Sequence, residues 1–206
     1  MSYRYPPQKE VTELNKWCLD IIHEVQYELK DYFTFDIKLI GSGEKRLVTQ
    51  NEDECFDLDY NLIIQKDKKD LINNPKTIKE LFMKSFNEAL QDAVNGYKHV
   101  CDSTSVVTNK IVINNRLEFK FDVAILVKAD NDKYYRLIND KNTGRYIWNE
   151  LRGSKNYIER FSHVKHLGLF NDFKTRYLEL KNMHLSRHED IKSFSVFLET
   201  LNEFEQ

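Results

Sequence analysis

The sequence predicts an α+β fold in two parts, a core of helices and strands followed by a helical subdomain. Up to about residue 150, segments in which apolar and polar residues alternate, as in strands, lie between segments with the apolar spacing of helices. Beyond that point only the helical spacing recurs. We therefore expect the core to span residues 1–150 and the helical subdomain to span residues 151–206.

Composition and charge limit the classes of protein to which this chain can belong. Of the 206 residues, 41% are hydrophobic, which is enough for a buried core, and the net charge is only -2. Acidic and basic residues are interspersed, so charge does not predict nucleic-acid binding. Three widely spaced cysteines and a polar N-terminus without an export signal predict reduced thiols and a cytoplasmic protein. No apolar run approaches the ~20 residues of a membrane helix.

Two helices are predicted in the core. Apolar residues at helical spacing indicate one over residues 9–31. The second should begin at Asn74-Pro75, because asparagine caps a helix and proline suits its first position, and should end at Asn95-Gly96.

The core strands are predicted from alternation. They lie at residues 33–40, 57–64, 99–107, 110–113, 116–127 and 134–140. A loop is expected over residues 43–56. Asn114-Asn115 indicates a hairpin turn, and a further turn is expected at 141–144.

Three helices are predicted in the C-terminal part. Apolar spacing places the first around residues 157–164 and the second around 170–180. The sequence "SRHE" at 186–189 resembles a capping box, which would open the third helix. Its inward-facing residues would be Ile191, Phe194, Leu198 and Leu201. His184 and His188 are expected at the polar surface.

Two aspartates in the strand "DLDYNL" suggest a metal site. Because strand residues two apart point to the same face, Asp57, Asp59 and Asn61 share one face while Leu58 and Tyr60 point to the core. Adjacent carboxylates repel each other and resist desolvation. Oxygen ligands of this kind suit Mg²⁺ or Mn²⁺.

A third acid lies in the later strand "EFKFDVAIL". Alternation places Lys120, Asp122 and Ala124 on one face of that strand. If it lies beside residues 57–64, Asp122 completes a three-carboxylate cluster, which can hold two ions in phosphoryl-transfer sites. The structural alternative is that Asp57 is a loop residue, Asp59 an edge-strand charge, and Asp122 an ion-pair partner of Lys120 or Arg116.

A glycine-serine pair precedes these acids. Gly41 at a strand end lets the backbone approach a phosphate closely, and the Ser42 hydroxyl could hold terminal phosphates. Lys45 and Arg46 follow within reach. The spacing of a Walker A loop is missing.

Together these residues resemble the nucleotidyltransferase superfamily, which has the polymerase β-like fold. The resemblance covers roughly residues 33–125 and rests on Ile40-Gly41-Ser42, Asp57-Leu58-Asp59 and Phe121-Asp122-Val123. It implies a mixed sheet flanked by helices and followed by a helical subdomain. The 14 residues between Ser42 and Asp57 slightly exceed the usual spacer.

The resemblance implies an enzyme that transfers a nucleoside monophosphate from an NTP, such as ATP, to a hydroxyl acceptor and releases pyrophosphate. Asp57, Asp59 and Asp122 would be catalytic and would bind Mg²⁺ or Mn²⁺. Gly41, Ser42 and Lys45 would bind the nucleotide. The helical part would supply a lysine for the triphosphate and an aromatic residue for the base, with Lys181, Lys165 and Tyr177 as candidates. Tyr177 in the core is the competing interpretation.

The acceptor stays open at this point. A small molecule, a nucleotide or a protein is favoured over long RNA, because the chain is not basic and carries no added nucleic-acid module. The alternative to an enzyme is an inactive nucleotide- or partner-binding module of the same fold. Pyrophosphoryl transfer, as in alarmone synthetases, is a weaker enzymatic alternative.

Overall fold

The computed structural model describes residues 2–52, 54–93, 97–113, 116–151 and 156–204. The chain forms two compact units. The larger, here called the sheet unit, comprises Pro7–Val48 and Cys55–Leu151. The smaller, here called the helical unit, comprises Met1–Pro6, Thr49–Glu54 and Arg152–Gln206, so it also takes in two short segments from the first half of the chain.

The elements of the first half follow in chain order. They are β1 (Tyr3–Arg4), α1 (Gln8–Glu28), β2 (Phe33–Ile40), α2 (Gly41–Lys45), β3 (Gln50–Asn51), β4 (Asp57–Asp67), α3 (Pro75–Ala93), β5 (Tyr97–Asp102) and β6 (Val107–Ile113). The remaining elements are β7 (Arg116–Lys128), β8 (Tyr134–Asp140), β9 (Arg145–Glu150), α4 (Asn156–His166), α5 (Phe170–Ser186) and α6 (Ser193–Glu203).

A seven-stranded mixed sheet organises the sheet unit. Five strands follow the order β2-β4-β7-β6-β5, and β8 pairs with both β7 and β9. The β4–β7 pair is parallel, whereas every other pairing of this sheet is antiparallel. The expected α+β class with a mixed sheet flanked by helices is therefore confirmed.

One face of the sheet is the core. Alternate residues of β4 and β7 are fully buried there, among them Leu58, Tyr60, Phe121 and Val123. The apolar stripes of α1 and α3 belong to the same cluster of buried side chains. The intervening residues of β4 and β7 point to the opposite face, which leaves the acids outside the core.

The predicted helices of the core are confirmed. The Thr77 N–H donates to Asn74 Oδ1 at 3.3 Å, so asparagine caps α3 as expected. The predicted helix stop at Asn95-Gly96 and the hairpin turn at Asn114-Asn115 lie outside the described residues.

Two expectations about the core are wrong, and one strand was not predicted. The loop over residues 43–56 contains the end of the short helix α2 and the strand β3. The strand over residues 99–107 is interrupted, because β5 ends at Asp102 and β6 begins at Val107. The strand β9 was not predicted, since its side chains are mostly exposed and it carries little core pattern.

In the helical unit, α4, α5 and α6 pack through aromatic rings. Phe161, Phe173 and Phe197 contact one another with ring centroids 5.1–5.7 Å apart. Tyr177 is 2% exposed, so the core interpretation of this residue is confirmed. Strands β1 and β3 pair in a separate two-stranded sheet of the same unit.

The predicted start of the last helix is wrong. "SRHE" does not cap α6, which begins at Ser193; instead α5 extends to Ser186, whose hydroxyl donates to the Met183 carbonyl. Ile191 and Phe194 are 39% and 47% exposed, so they do not face inward as expected. The C-terminal apolar residues satisfy the helical spacing, but the first residue of the supposed cap, Ser186, is the last residue of α5.

His184 is buried and does not lie at the polar surface as expected. Its Nδ1 bonds to Glu189 and its Nε2 bonds to Glu199. These two carboxylates raise the pKa of His184. Within the described residues, no helix is long and apolar enough to cross a membrane.

Candidate active site

The parallel pairing of β4 with β7 brings the predicted acids together. Asp59 is the register partner of Asp122, and Asp57 is the partner of Lys120. Side chains of directly paired residues point to the same face, so the two strands present these four residues side by side. Since β4 lies between β2 and β7, Asp59 does not belong to an edge strand.

The carboxylate of Asp59 lies in an unfavourable electrostatic environment. Burial, together with the charges of Asp122 and Asp57, raises its pKa to about 6. Within the described part of the chain, no hydrogen bond or ion pair reaches this side chain. Folding therefore holds Asp59 where its ionised form is poorly compensated.

Asp57 has a cationic partner. Lys120 Nζ lies 2.7 Å from Asp57 Oδ2. Burial raises the pKa of Asp57, and the Lys120 ammonium opposes that effect. Lys110, paired with Lys120 across β6 and β7, adds a second positive charge that acts on Asp57.

Part of this arrangement suits a divalent cation. Asp122 Oδ1 and Asn61 Oδ1 are buried and have no hydrogen-bond partner, and Asp59 carries the poorly compensated charge beside them. Oxygen donors of this kind fit Mg²⁺ or Mn²⁺. However, no three His, Cys, Asp or Glu residues in the described ranges form a group that could hold a metal ion. Asp59 and Asp122 fit the role, whereas Asp57 is engaged by Lys120.

Gly41 lies directly against these acids. It has a φ of 65°, and a Cβ built there would lie 2.9 Å from Asp59 Oδ2. Only glycine combines that left-handed backbone with such a close approach. The sequence predicted a close approach of Gly41 to a phosphate, and the structure places a carboxylate of this chain next to the residue.

The other nucleotide-binding candidates of the core lie in α2. Lys45 Nζ donates to the Gly41 carbonyl at 3.2 Å and lies 3.8 Å from Glu44, so its ammonium folds back along α2. The carbonyl of Ser42 accepts a bond from the Leu47 N–H. Thus α2 brings Gly41, Ser42 and Lys45 into one turn that begins next to Asp59.

Lys181 is buried in the helical unit. Its Nζ donates to Thr49 Oγ1 at 2.7 Å and to Ser193 Oγ at 3.3 Å, and it lies 3.8 Å from the ring centroid of Tyr3. Burial lowers its pKa to about 8. A cavity of about 320 Å³ opens beside it, lined in part by Tyr3 and His184. Lys165, another candidate, instead lies over an aromatic ring of α4.

Several residues that act on the candidate site residues were not identified from the sequence as parts of the site. Lys120 carried a signal, because it lies two residues before Asp122 in an alternating strand. Arg136 carried none, since only the antiparallel pairing of β8 with β7 brings its charge to bear on Asp59. Thr49 and Ser193 reach Lys181 from segments far apart in the chain.

Solved structures with the same architecture were found. CdnC from E. coli MS115-1 with ATP has a TM-score of 0.59 and 13% identity, over 100% of this chain and 63% of that one. Vibrio cholerae DncV, a cyclic AMP-GMP synthase solved with the linear intermediate 5′ pppA(3′,5′)pG, has a TM-score of 0.56 and 12% identity, over 82% and 44%. The E. coli CdnC:HORMA-deltaN complex gives 0.57 and 12%, over 97% and 61%.

This chain thus spans less than two thirds of the length of these proteins. No family model and no curated protein sequence matches it. At such low identity the likeness concerns the fold, which is also what the aspartate pattern implied. The chain has the nucleotidyltransferase fold.

Proposed function

We propose that the protein is a metal-dependent nucleotidyltransferase that moves a nucleoside monophosphate from an NTP to a hydroxyl acceptor and releases pyrophosphate. The observation that supports this most is the pairing of Asp59 with Asp122 on parallel strands of a nucleotidyltransferase fold. The pair carries negative charge that the described part of the chain leaves without a cationic contact. A bound divalent cation would compensate it.

Asp59 and Asp122 would hold the cation, with Asp57 as the third predicted ligand. When bound, such an ion neutralises charge on the triphosphate and lowers the pKa of the attacking hydroxyl. We assign Asp122 to accept the proton of the acceptor hydroxyl, because this is the role that the resemblance implies for the third acid of the motif. The rigid sheet contributes by positioning both carboxylates before substrate arrives.

In the sheet unit, the triphosphate would be bound beside the acids. Gly41 and Ser42 offer backbone and hydroxyl groups next to the acids, and Lys45 would exchange the Gly41 carbonyl for a phosphate oxygen. In the helical unit, Lys181 is a buried ammonium that contacts only hydroxyl groups and two tyrosine rings among the described residues. An anionic phosphate is the partner that such a lysine lacks.

For the acceptor we propose a hydroxyl of a second nucleotide. The support is the DncV structure, whose bound intermediate 5′ pppA(3′,5′)pG joins two nucleotides. That protein is similar to this chain in fold. A nucleotide acceptor also agrees with the net charge of -2, which does not predict binding to long RNA.

One observation favours a second candidate, an inactive nucleotide- or partner-binding module. Asp57 is paired with Lys120, and the described residues contain no ready group of three metal ligands. In that case the protein would bind NTP or a partner without turnover.

The test is pyrophosphate release by the full chain with single NTPs and pairs of NTPs, with Mg²⁺ or Mn²⁺. The Asp59→Asn variant should lose at least about 100-fold in rate, as expected when a group acting in the transition state is removed. Asp36→Asn is the matched control, because Asp36 is an exposed strand aspartate bonded only to Gln65 among the described residues.

Two results would decide between the candidates. Metal-dependent pyrophosphate release that Asp59→Asn removes and Asp36→Asn retains supports the enzyme. An NTP-induced rise in thermal stability without any pyrophosphate release supports the inactive module. Equal turnover in wild type and Asp59→Asn would contradict the proposed site.

A further inference from the structure

We infer that Lys120 is a built-in competitor of the metal ion, and that its ammonium must leave Asp57 before this carboxylate can become a ligand. This inference rests on the proposed metal site. It adds a gating role for a residue that the proposed function does not itself require.

The geometry of the strands sets up this competition. Register pairing places Lys120 directly beside Asp57, and Nζ lies 2.7 Å from Oδ2. The two side chains are 26% and 42% exposed. A pair that is only partly solvated keeps more of its attraction than one in open water. Lys120 therefore holds one of the three predicted ligands.

The neighbouring acids differ in this respect. Asp59 and Asp122 lie two residues further along the same strands, and neither forms an ion pair with a cationic side chain in the described residues. Consistent with this, those residues include no group of three acids arranged to hold a metal. The metal-free site thus consists of two available carboxylates and a third neutralised by Lys120.

A divalent cation bound to Asp57 would have to displace the Lys120 ammonium, whereas Asp59 and Asp122 would hold the ion without such a displacement. Lys120 thereby lowers the affinity for metal alone. It also limits the repulsion among three acids while the site is empty. Removing Lys120 should strengthen metal binding.

The experiment measures the affinity of the nucleotide-free full chain for Mn²⁺ alone, by electron paramagnetic resonance or calorimetry. Lys120→Met should bind Mn²⁺ about tenfold more tightly than wild type, because the competing ion pair is gone. Lys110→Met is the matched control. It removes the same charge from the strand next to Lys120, yet Lys110 makes no ion pair with Asp57.

The Lys110→Met control separates the effect of the Lys120–Asp57 ion pair from the effect of net charge on Mn²⁺ affinity. A clearly larger gain in Lys120→Met than in Lys110→Met supports the inference, and Lys120→Arg, which keeps the charge, should show no gain. Equal gains in the two methionine variants would overturn it, since only net charge would then matter. The inference would also be overturned if Lys120→Met bound Mn²⁺ with the affinity of wild type, or if no variant bound Mn²⁺. Circular dichroism without metal confirms that each variant folds.

Failure here is distinguishable from failure of the proposed function. If Mn²⁺ binds, Asp59→Asn abolishes that binding, and Lys120→Met matches wild type, then the metal site stands and the gating role of Lys120 does not. Pyrophosphate release, measured separately, reports on the enzyme itself.

Discussion

Asp59 in the sheet unit and Lys181 in the helical unit both lie in environments that disfavour their charged forms, and their charges have opposite signs. In the sheet unit, burial and neighbouring acids raise the pKa of Asp59 to about 6. In the helical unit, burial lowers the pKa of Lys181 to about 8. Both shifts favour the neutral form. Each group is therefore less stable in its ionised form than it would be in water.

Another buried charge of the sheet unit, that of Lys79, has a partner of opposite charge. Lys79 is 1% exposed, but it pairs with Asp102 at 3.2 Å and donates to the Val106 carbonyl at 2.8 Å. Tyr146 and Asn139 donate further bonds to the Asp102 carboxylate. Burial still lowers the pKa of Lys79. Lys79 nevertheless has an ion-pair partner, which neither Asp59 nor Lys181 has among the described residues. Buried charges without such a partner are typical of binding sites.

The largest stability effect should come from breaking a compensated pair. Lys79→Met should lower the free energy of unfolding by about 3 kcal/mol, because it leaves Asp102 without its cation. Lys76→Met is the control, since exposed Lys76 makes only an i,i+4 pair with Glu80, and it should change stability by less than about 0.5 kcal/mol. Urea unfolding measures both. Equal effects would remove the distinction between compensated and exposed charges.

Removing the strained acid should do the opposite. Asp59→Asn should raise the free energy of unfolding of the metal-free protein by about 2 kcal/mol at pH 8, after allowance for its partial exposure. Folding raises the pKa of Asp59 from 3.8 to about 6. The ionised Asp59 side chain therefore destabilises the folded wild-type protein fully above pH 6, and this destabilisation fades as the pH falls to 4. The gain should thus vanish near pH 4.

Thermal or urea unfolding at pH 4, 6 and 8 checks this, with Asp36→Asn as the control that should show no such trend. A loss of stability in Asp59→Asn at pH 8 would mean that Asp59 is compensated in the folded protein.

Lys181 should show the mirror-image pH dependence. Its pKa falls from 10.5 to about 8 on folding, so the destabilisation is complete below pH 8 and fades as the pH rises to 10.5. The stability of Lys181→Met relative to wild type should therefore decline by about 1–2 kcal/mol between pH 8 and 10.5. Lys174→Met is the control, because Lys174 also lies over a tyrosine ring of the same unit but is half-buried. Parallel curves for the two variants would contradict the assignment.

The smallest effect tests the close approach of Gly41 to Asp59. Gly41 and Gly144 have nearly equal φ angles, 65° and 66°, but a Cβ at Gly144 would meet nothing within 4 Å. Alanine at either position incurs the left-handed backbone penalty of about 1 kcal/mol. Gly41→Ala should cost about 1 kcal/mol more, because its Cβ meets Asp59 Oδ2 at 2.9 Å. Equal losses in urea unfolding would show that Asp59 moves away freely.

Local patterns in the sequence were sufficient for much of this structure. Alternation in β4 and β7 determined which residues enter the core and which acids share a face, because strand periodicity is a local property. The cap at Asn74 likewise depends on neighbours in the chain. The family motif built on Gly41, Asp59 and Asp122 was enough to indicate the fold.

The motif near residue 186 shows where local patterns were insufficient. "SRHE" has the residues of a cap, but α5 extends through Ser186 and buries His184 between Glu189 and Glu199. The choice between ending one helix and starting another depended on packing against α6, which no short window contains.

The sequence by itself determined the α+β class, the strands that carry the acids and the set of candidate acids. Only the tertiary structure decided which acids are compensated, because charge pairing depends on register between distant strands. Because β4 pairs with β7 in parallel, Lys120 lies beside Asp57 and forms an ion pair with it, whereas Asp59 lies beside Asp122. Lys181 likewise acquired Thr49 and Ser193 through folding alone. Electrostatic interactions act through space, so residues 63 positions apart can set each other's charge state.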